Sequence, residues 1–192
     1  MDYLDINKKS WDKRTKTHVS SDFYDVKGFM SGSSSLTEIE QSELIEVSGK
    51  KLLHLQCQFG LDTLSWARKG ALVTGVDLSP VAIEKANEIT RKVGLKANFI
   101  CSDVHDFGDR VQPEYDTVFT SYGTVCWLPN LDKWAQTIVN SLKPNGAFYM
   151  VDFHPIHDLI SGYSYFHSAT PDIEEEGTYT ENCDGTKSTL IT

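Results

Sequence analysis

KKLLHLQCQFGLDTLSWARKGALVTGVDLSP, residues 50–80, decides the fold because it has the pattern of a strand, a tight loop, a helix and a second strand. Leucines precede the loop and recur at helical spacing after it, until Gly70 can end the helix. Two strands joined by so short a helical crossover are parallel, and the crossover is right-handed. The loop and Asp77, which ends the second strand, are therefore expected side by side at the carboxyl edge of a sheet, where ligands bind.

Asp77 is placed to bind a ribose. A carboxylate at the end of the second strand can accept hydrogen bonds from both vicinal hydroxyls of the sugar. The alternative is that Asp77 only caps the next helix, but Ser79 and Pro80 already supply an N-cap and a favoured first helical residue. The pattern therefore predicts a nucleoside pocket.

The loop HLQCQFG, which runs from His54 to Gly60, favours a ligand without a diphosphate. A dinucleotide site needs the spacing G-x-G-x-x-G so that backbone amides can approach the pyrophosphate, and this loop contains a single glycine. The segment resembles motif I of the class I S-adenosylmethionine-dependent methyltransferases, in particular the small-molecule-type enzymes whose first strand ends in H-L-Q-C-x-F-G. The resemblance runs from residue 52 to residue 155 and implies S-adenosylmethionine as the cofactor. It also implies an α/β, Rossmann-like sheet that is doubly wound and mostly parallel. The usual C-terminal strand pair of that fold is not found in this sequence.

The loop departs from the usual motif. His54 stands where an acid is usual, and Gln56 and Gln58 stand where glycines are usual. The amino-acid end of the cofactor would then be held by glutamine side chains, backbone carbonyls or water. His54 and Cys57 could also pair on a metal ion, but the chain has no C-x-x-C and its other cysteines lack ligand spacing, so no metal is predicted.

The resemblance and the predicted sheet edge place a set of residues around the cofactor. These are His54, Gln56, Cys57, Gln58, Gly60, Asp77, Leu78, Ser102, Asp103, Val104, Ser121, Tyr122 and Trp11. Asp103 follows the predicted third strand, at the position that the resemblance assigns to the acid facing the adenine amino group. A carboxylate can accept from that donor, and an ordinary turn aspartate is the alternative.

The loop after the fourth strand, residues 121–127, resembles motif IV, where donor and acceptor meet. Tyr122 and Trp127 are expected to wall the transfer site, because aromatic faces attract a sulfonium or ammonium cation; packing beneath the loop is the alternative. His154, after the fifth strand, could accept a proton from an attacking hydroxyl, amine or thiol, or could be hydrogen-bonded within the rim. Tyr122 and His154 are the candidate catalytic residues.

Residues 1–49 are expected to form an N-terminal helical cap or lid. Aromatic and polar residues up to Trp11 recur at helical spacing and could close over the ligand, whereas simple docking of a terminal helix is the alternative. Residues 32–35, GSSS, are typical of a flexible hinge. Ser35 and Glu38 have the capping-box spacing and predict a helix that extends to about residue 47.

Residues 156–192, after a cofactor-binding core over residues 50–155, are expected to form an insertion with a β-hairpin. The predicted hairpin pairs residues 178–181 with residues 186–191 across Asp184-Gly185. This hairpin, or a partner chain in a homodimer, would cover the edge beside the fifth strand; otherwise the chain is a truncated form of a longer protein.

The composition suits one domain and limits the partners. The chain has 192 residues, with 27 acids against 18 bases and a net charge of −9, so no nucleic-acid partner is predicted. No apolar run approaches the length of a bilayer crossing, so no membrane partner is predicted either. A soluble, cytoplasmic protein is expected, which also suits four scattered cysteines.

The predicted function is methyl transfer from S-adenosylmethionine to a small-molecule acceptor, a reaction that needs positioning and no nucleophilic side chain. Two alternatives stay open. A nicotinamide-dependent oxidoreductase could use Asp77 equally well, but it could not use the HLQCQFG loop. A non-catalytic nucleoside-binding module would account for the lost glycines and the missing C-terminal strands.

Overall fold

The computed structural model describes residues 3–166, 170, 172–182 and 187–191. The helices are α1 (Tyr3–His18), α2 (Val26–Met30), α3 (Glu38–Glu43), α4 (Leu61–Arg68), α5 (Pro80–Val93), α6 (Val104–Gly108), α7 (Leu131–Ser141) and α8 (Ile156–Ile160). The strands are β1 (Lys51–Leu55), β2 (Leu72–Asp77), β3 (Ala97–Cys101), β4 (Tyr115–Ser121), β5 (Leu142–Val151), β6 (Ile173–Glu176) and β7 (Ser188–Ile191). Within this part of the chain, none of the helices combines the length and apolar composition that a bilayer crossing needs.

The main sheet has the strand order β3-β2-β1-β4-β5, and each neighbouring pair is parallel. The chain builds outward from β1 to β3 on one side and then returns to add β4 and β5 on the other. The order therefore reverses between β1 and β4, which opens a crevice at the carboxyl ends of these two strands. This topology confirms the predicted α/β, doubly wound and mostly parallel sheet.

Alternating residues of β1 cover both faces of the sheet. Leu53 and Leu55 are fully buried and pack in one cluster with Trp134 of α7. Leu52 points to the other face, where it is fully buried in a cluster with Trp66 of α4. Burying a large apolar side chain contributes about 1.5–3 kcal/mol, so helices on both faces fix β1 at the centre of the molecule.

The N-cap predicted at Ser79 is confirmed. The Ser79 side chain accepts a hydrogen bond from the backbone N–H of Ala82, and Gly94 ends α5 in the left-handed conformation with φ 69°. The Asn130 side chain caps α7 by accepting from the N–H of Lys133. These caps satisfy backbone groups that a helix end leaves open, so local sequence alone determines where these helices begin and end.

The capping box predicted at Ser35 is wrong. Thr37 caps α3, and the helix ends at Glu43 rather than near residue 47. The Ser35 hydroxyl donates instead to the carboxylate of Asp62 in α4, at 2.6 Å. The Ser35 side chain therefore forms a tertiary hydrogen bond in place of the predicted helix cap.

The C-terminal hairpin differs from the prediction in register and in place. β6 and β7 pair antiparallel with Ile173 opposite Ile191, so the strand predicted over residues 178–181 is wrong; the turn at Asp184-Gly185 lies outside the described residues. The hairpin packs on α1, where the Asn7 side chain donates to the carbonyl of Ile191 at 2.8 Å and accepts from its N–H at 2.9 Å. Among the described residues, no strand pairs with the outer edge of β5.

We expect Asn7→Ala to detach the hairpin from α1. The change leaves the buried N–H and carbonyl of Ile191 without partners, at a cost of about 1–3 kcal/mol. Amide hydrogen exchange at residues 188–191 should become faster while exchange in β1 and β2 stays slow. Asn87→Ala is the matched control, because the Asn87 side chain bonds only within its own helix, to the carbonyl of Ile83. Unchanged exchange in β7 of the Asn7 variant would contradict this assignment.

Candidate functional site

Two adjoining cavities lie at the carboxyl edge of the sheet, beside the reversal of strand order. The small cavity, about 130 Å³, lies against the ends of β1, β2 and β3 and beneath α1. The large cavity, about 950 Å³, lies between the segment before α3, the start of α4 and the loop after β4. The residues that line both cavities are Trp11, Tyr24, Gly123, Trp127 and Tyr179. The shared wall makes the two cavities compartments of one site.

The loop after β1 holds two glutamines in a backbone conformation that favours glycine. Gln56 has φ 57° and Gln58 has φ 51°. The left-handed conformation costs an L-residue about 1–2 kcal/mol, so side-chain contacts must offset the strain. The Gln56 amide donates to the carbonyl of Thr124 at 2.9 Å, and the Gln58 amide donates to His18 Nδ1 at 2.9 Å and to the Tyr24 hydroxyl at 3.1 Å. The glutamines therefore tie this loop to the loop after β4 and to the N-terminal segment.

His18 is the centre of the roof over the small cavity. Because its Nδ1 accepts from Gln58, the ring proton is on Nε2, which donates to the hydroxyl of Thr178. Burial, together with the nearby charge of Arg14, lowers the pKa of His18 to about 4, so the ring is neutral near pH 7. The rings of Tyr24 and Tyr179 each lie 4.9 Å from the His18 ring, centroid to centroid. Residues from both ends of the chain thus form one aromatic roof.

Asp77 joins the loop after β1 to the start of α5. One carboxylate oxygen accepts from the N–H of Gln58 at 2.7 Å, and the other accepts from the N–H of Ser79 at 2.8 Å. Burial raises the pKa of Asp77 to about 6, although these two hydrogen bonds oppose the rise. Each oxygen keeps a second lone pair, and Asp77 lines the small cavity. The bracing role and the predicted ribose-binding role are therefore compatible.

Asp103 also lines the small cavity, together with the predicted Leu78, Ser102 and Val104. Its Oδ1 accepts from the N–H groups of His105 and Asp106 and so caps α6. The capping contact occupies one carboxylate oxygen. Recognition of adenine by the other oxygen stays a prediction.

The small cavity has the polar and apolar groups that a nucleoside needs. The Oε1 atom of Gln56 is buried at its wall and has no hydrogen-bond partner among the described residues. A buried acceptor without a partner costs about 1–3 kcal/mol, which a ligand N–H or O–H group would recover. Val76 and Leu128 provide apolar surface for a flat base. The lining residues thus have the chemistry that the adenosyl part of S-adenosylmethionine needs. Because the cavity of about 130 Å³ is smaller than the roughly 300 Å³ of a small ligand pocket, binding would require it to open into the adjoining large cavity.

Three predicted contact residues of the first loop line neither cavity. His54 is 2% exposed, lies 2.8 Å from the Thr63 hydroxyl through Nδ1, and has its pKa lowered to about 3 by burial. Cys57 is buried, and Gly60 begins α4 in the left-handed conformation with φ 78°. These residues support the wall of the site from behind.

The predicted catalytic residues are separated. Tyr122 lines the large cavity beside Ser121, and its hydroxyl lies 3.3 Å from the hydroxyl of Thr37. His154 is exposed and lies outside both cavities, where its Nδ1 accepts from the N–H of Ile156 at 3.2 Å. Because β5 ends at Val151, His154 is carried past the sheet edge, and its position gives no support to a role as proton acceptor.

Sequence reasoning missed two residues of the site. Asp62, in the first turn of α4, lines the large cavity and accepts from the hydroxyls of Ser35 at 2.6 Å and Ser121 at 3.2 Å. Tyr179, from the segment after β6, lines both cavities. An acid in the first turn of a helix is typical of any helix, and no local pattern links residue 179 to the sheet edge.

Comparison with known proteins agrees with this geometry. Residues 52–146 match the sequence profile of a family described as a methyltransferase domain. A ubiquinone biosynthesis O-methyltransferase of Coxiella burnetii (strain RSA 493 / Nine Mile phase I) is 28% identical over 130 residues, which cover 68% of this chain and 53% of that protein. The chain spans about half the length of the curated relatives it matches.

Solved structures share the fold. The DhpI–SAH complex superposes with a TM-score of 0.66 at 16% identity, over 99% of this chain and 79% of that one. A putative S-adenosyl-L-methionine-dependent methyltransferase from Methanococcus maripaludis superposes with a TM-score of 0.59 at 14% identity, over 77% of this chain and 64% of that one. At these identities the likeness establishes the architecture alone.

The left-handed backbone at Gln58 predicts that alanine and glycine variants differ in stability in opposite directions at Gln58 and at an ordinary helical position, Gln136. Gln58→Ala and Gln58→Gly both lose the hydrogen bonds to His18 and Tyr24, but only glycine relieves the strain, so the alanine variant should be less stable by about 1 kcal/mol or more. At Gln136, inside α7, the order should invert, with glycine less stable by about 1 kcal/mol. Chemical denaturation of the four variants measures both differences. A Gln58→Gly variant less stable than Gln58→Ala would contradict the strained conformation.

Proposed function

We propose that this chain, whose residues 52–146 match the profile of a methyltransferase domain, is a class I S-adenosylmethionine-dependent methyltransferase that transfers a methyl group to a small-molecule acceptor. The observation that carries the proposal is the small cavity, in which the Asp77 carboxylate and the unpaired Gln56 oxygen face apolar surface suited to an adenine ring. The large cavity adjoins it through a shared aromatic wall and offers space for an acceptor.

Residues of the small cavity would hold the nucleoside. Asp77 would accept hydrogen bonds from the ribose hydroxyls, Asp103 would accept from the adenine amino group, and Gln56 would accept from a further donor of the ligand. Trp11 and Tyr179 cover the cavity and would exclude water from it. This assignment keeps most of the contacts expected from the sequence and omits direct contacts from His54, Cys57 and Gly60.

The chain contributes to methyl transfer chiefly by positioning. When bound, the cofactor supplies an electrophilic methyl group on its sulfonium. Gly123 and Trp127 line both cavities and would set the direction in which the acceptor approaches. Burial raises the pKa of the Tyr122 hydroxyl. The proton of this hydroxyl is directed to Thr37, whose own proton is donated to Glu40, so Tyr122 would offer the acceptor its ring face and an oxygen lone pair. Orientation of this kind can contribute about 7–11 kcal/mol to lowering the barrier.

The acceptor is proposed to be small because the large cavity, at about 950 Å³, has the volume of a small-molecule site. Aromatic rings, including Phe29, Tyr122 and Phe153, dominate its wall and favour a partly apolar compound. The curated relatives are named as O-methyltransferases of ubiquinone biosynthesis, which supports a small acceptor. The excess of acids over bases argues against nucleic acid.

A nicotinamide dinucleotide fits the loop less well. Its pyrophosphate would have to approach a backbone whose left-handed positions carry the side chains of Gln56 and Gln58, and both side chains are engaged in hydrogen bonds. Glycine is the residue that allows close approach at such positions. The loop therefore favours S-adenosylmethionine over the oxidoreductase alternative.

Asp77→Asn should weaken binding of S-adenosylhomocysteine about 10- to 100-fold, which corresponds to the roughly 1.5–3 kcal/mol of hydrogen bonding to a charged group. Isothermal titration calorimetry measures the change, and circular dichroism checks that the variant is folded. Asp109→Asn, which alters an exposed carboxylate after α6, is the control. A folded Asp77 variant with wild-type affinity would remove Asp77 from the site.

The reaction itself is tested by transfer of a labelled methyl group from S-adenosylmethionine to compounds of a metabolite extract. Wild type should label one or a few small compounds, and Asp77→Asn should label them more slowly. Tight binding of S-adenosylhomocysteine without any transfer would favour the non-catalytic module, and binding of NAD in its place would favour the oxidoreductase.

A further inference from the structure

A carboxylate lies in the wall of the large cavity without a cationic partner. Asp62 is partly exposed and lines this cavity, and its carboxylate accepts hydrogen bonds from the neutral hydroxyls of Ser35 and Ser121. Arg14 also lines this cavity, with its guanidinium over the Trp11 ring, but no lysine or arginine among the described residues comes within 4 Å of the Asp62 carboxylate. A desolvated carboxylate without a countercharge is costly, so a cation in the cavity would be bound favourably.

A second carboxylate lies behind the first. Glu40 is 1% exposed; its Oε2 accepts from the hydroxyl of Thr37, while its Oε1 is buried and has no hydrogen-bond partner in the described part of the chain. Thr37 itself lies on the cavity wall. Burial, with the charge of Glu40 adding to it, raises the pKa of Asp62 to about 6. Near pH 7.5 Asp62 is therefore ionised and brings a negative charge to the cavity wall.

Aromatic rings line the same cavity as Asp62. The rings of Tyr122 and Phe153 lie 5.6 Å apart, and those of Trp11 and Trp127 lie 5.2 Å apart in an edge-to-face arrangement. All four residues line the large cavity. The faces of aromatic rings attract ammonium cations. A cavity that is lined by a carboxylate and by aromatic rings is suited to binding a cationic amine.

We propose that Asp62 binds an alkylammonium group in the large cavity. The proposal rests on the proposed function, because two sources could supply that group: the α-ammonium of the cofactor's methionyl end, or an amine acceptor. Ser35 and Ser121 orient the carboxylate. In either case Asp62 selects for a protonated amine over a neutral group of the same shape.

The first arm tests the cofactor as the source. Binding of S-adenosylhomocysteine and of 5′-methylthioadenosine, which lacks the amino-acid end, is measured by calorimetry for wild type and Asp62→Asn. If the cofactor supplies the ammonium, the variant should lose about tenfold or more in affinity for S-adenosylhomocysteine and keep its affinity for methylthioadenosine. Asp132→Asn is the control, because Asp132 is an exposed acid in the first turn of α7.

The second arm tests the acceptor as the source. In the presence of saturating S-adenosylhomocysteine, wild type should bind 2-phenylethylamine more tightly than 2-phenylethanol, which has the same shape and no charge. Asp62→Asn should lose this preference, and Asp62→Glu, which keeps the charge, should retain most of it. Since an ionised Asp62 costs folding stability above its raised pKa, the asparagine variant should melt at or above the wild-type temperature at pH 7.5.

A loss in either arm supports the ammonium subsite and identifies its source. A folded Asp62→Asn variant with wild-type behaviour in both arms would overturn the proposal. The proposed function is judged separately, by the binding of S-adenosylhomocysteine to wild type and its weakening in Asp77→Asn. An intact effect at Asp77 with no effect at Asp62 would therefore reject the subsite alone.

Discussion

The left-handed backbone at Gln56 and Gln58 is the constraint on which the rest of the site depends. The chain must turn sharply between β1 and α4, and these positions meet that need with residues that are strained there by about 1–2 kcal/mol each. Glycine would make the turn without strain, but it could not reach Thr124, His18 and Tyr24 as the glutamine amides do. The hydrogen bonds that offset the strain therefore also hold the loop after β4 and the N-terminal segment in place.

These hydrogen bonds explain why residues distant in sequence form one cavity. Asp77 fixes the same loop from below through the N–H of Gln58, while the Gln58 side chain fixes α1 from above through His18. His18 in turn contacts Thr178, so the segment after β6 joins the roof. Loop, N-terminal helix and C-terminal segment are held by one connected set of hydrogen bonds. A change at any member should therefore alter the shape of the small cavity.

The sequence predicted the parts of this structure that local patterns determine. The unit from β1 to β2, the position of Asp77 at the sheet edge and the start of α5 follow from periodicity and caps. The prediction was wrong where tertiary contacts determine the structure. Ser35 bonds to Asp62 instead of capping α3. Residues 178–181 pack near α1 instead of forming a strand. No sequence pattern marks Asp62 or Tyr179 as neighbours of the sheet edge, because the fold alone brings them there.

Binding of the adenosyl part of S-adenosylmethionine in the small cavity, against Asp77, can be seen directly in a crystal structure of the protein with S-adenosylhomocysteine. We expect the adenosine in the small cavity, with both ribose hydroxyls within hydrogen-bonding distance of the Asp77 carboxylate and the base beside Asp103. A nucleoside bound elsewhere, or one whose ribose makes no contact with Asp77, would contradict this expectation.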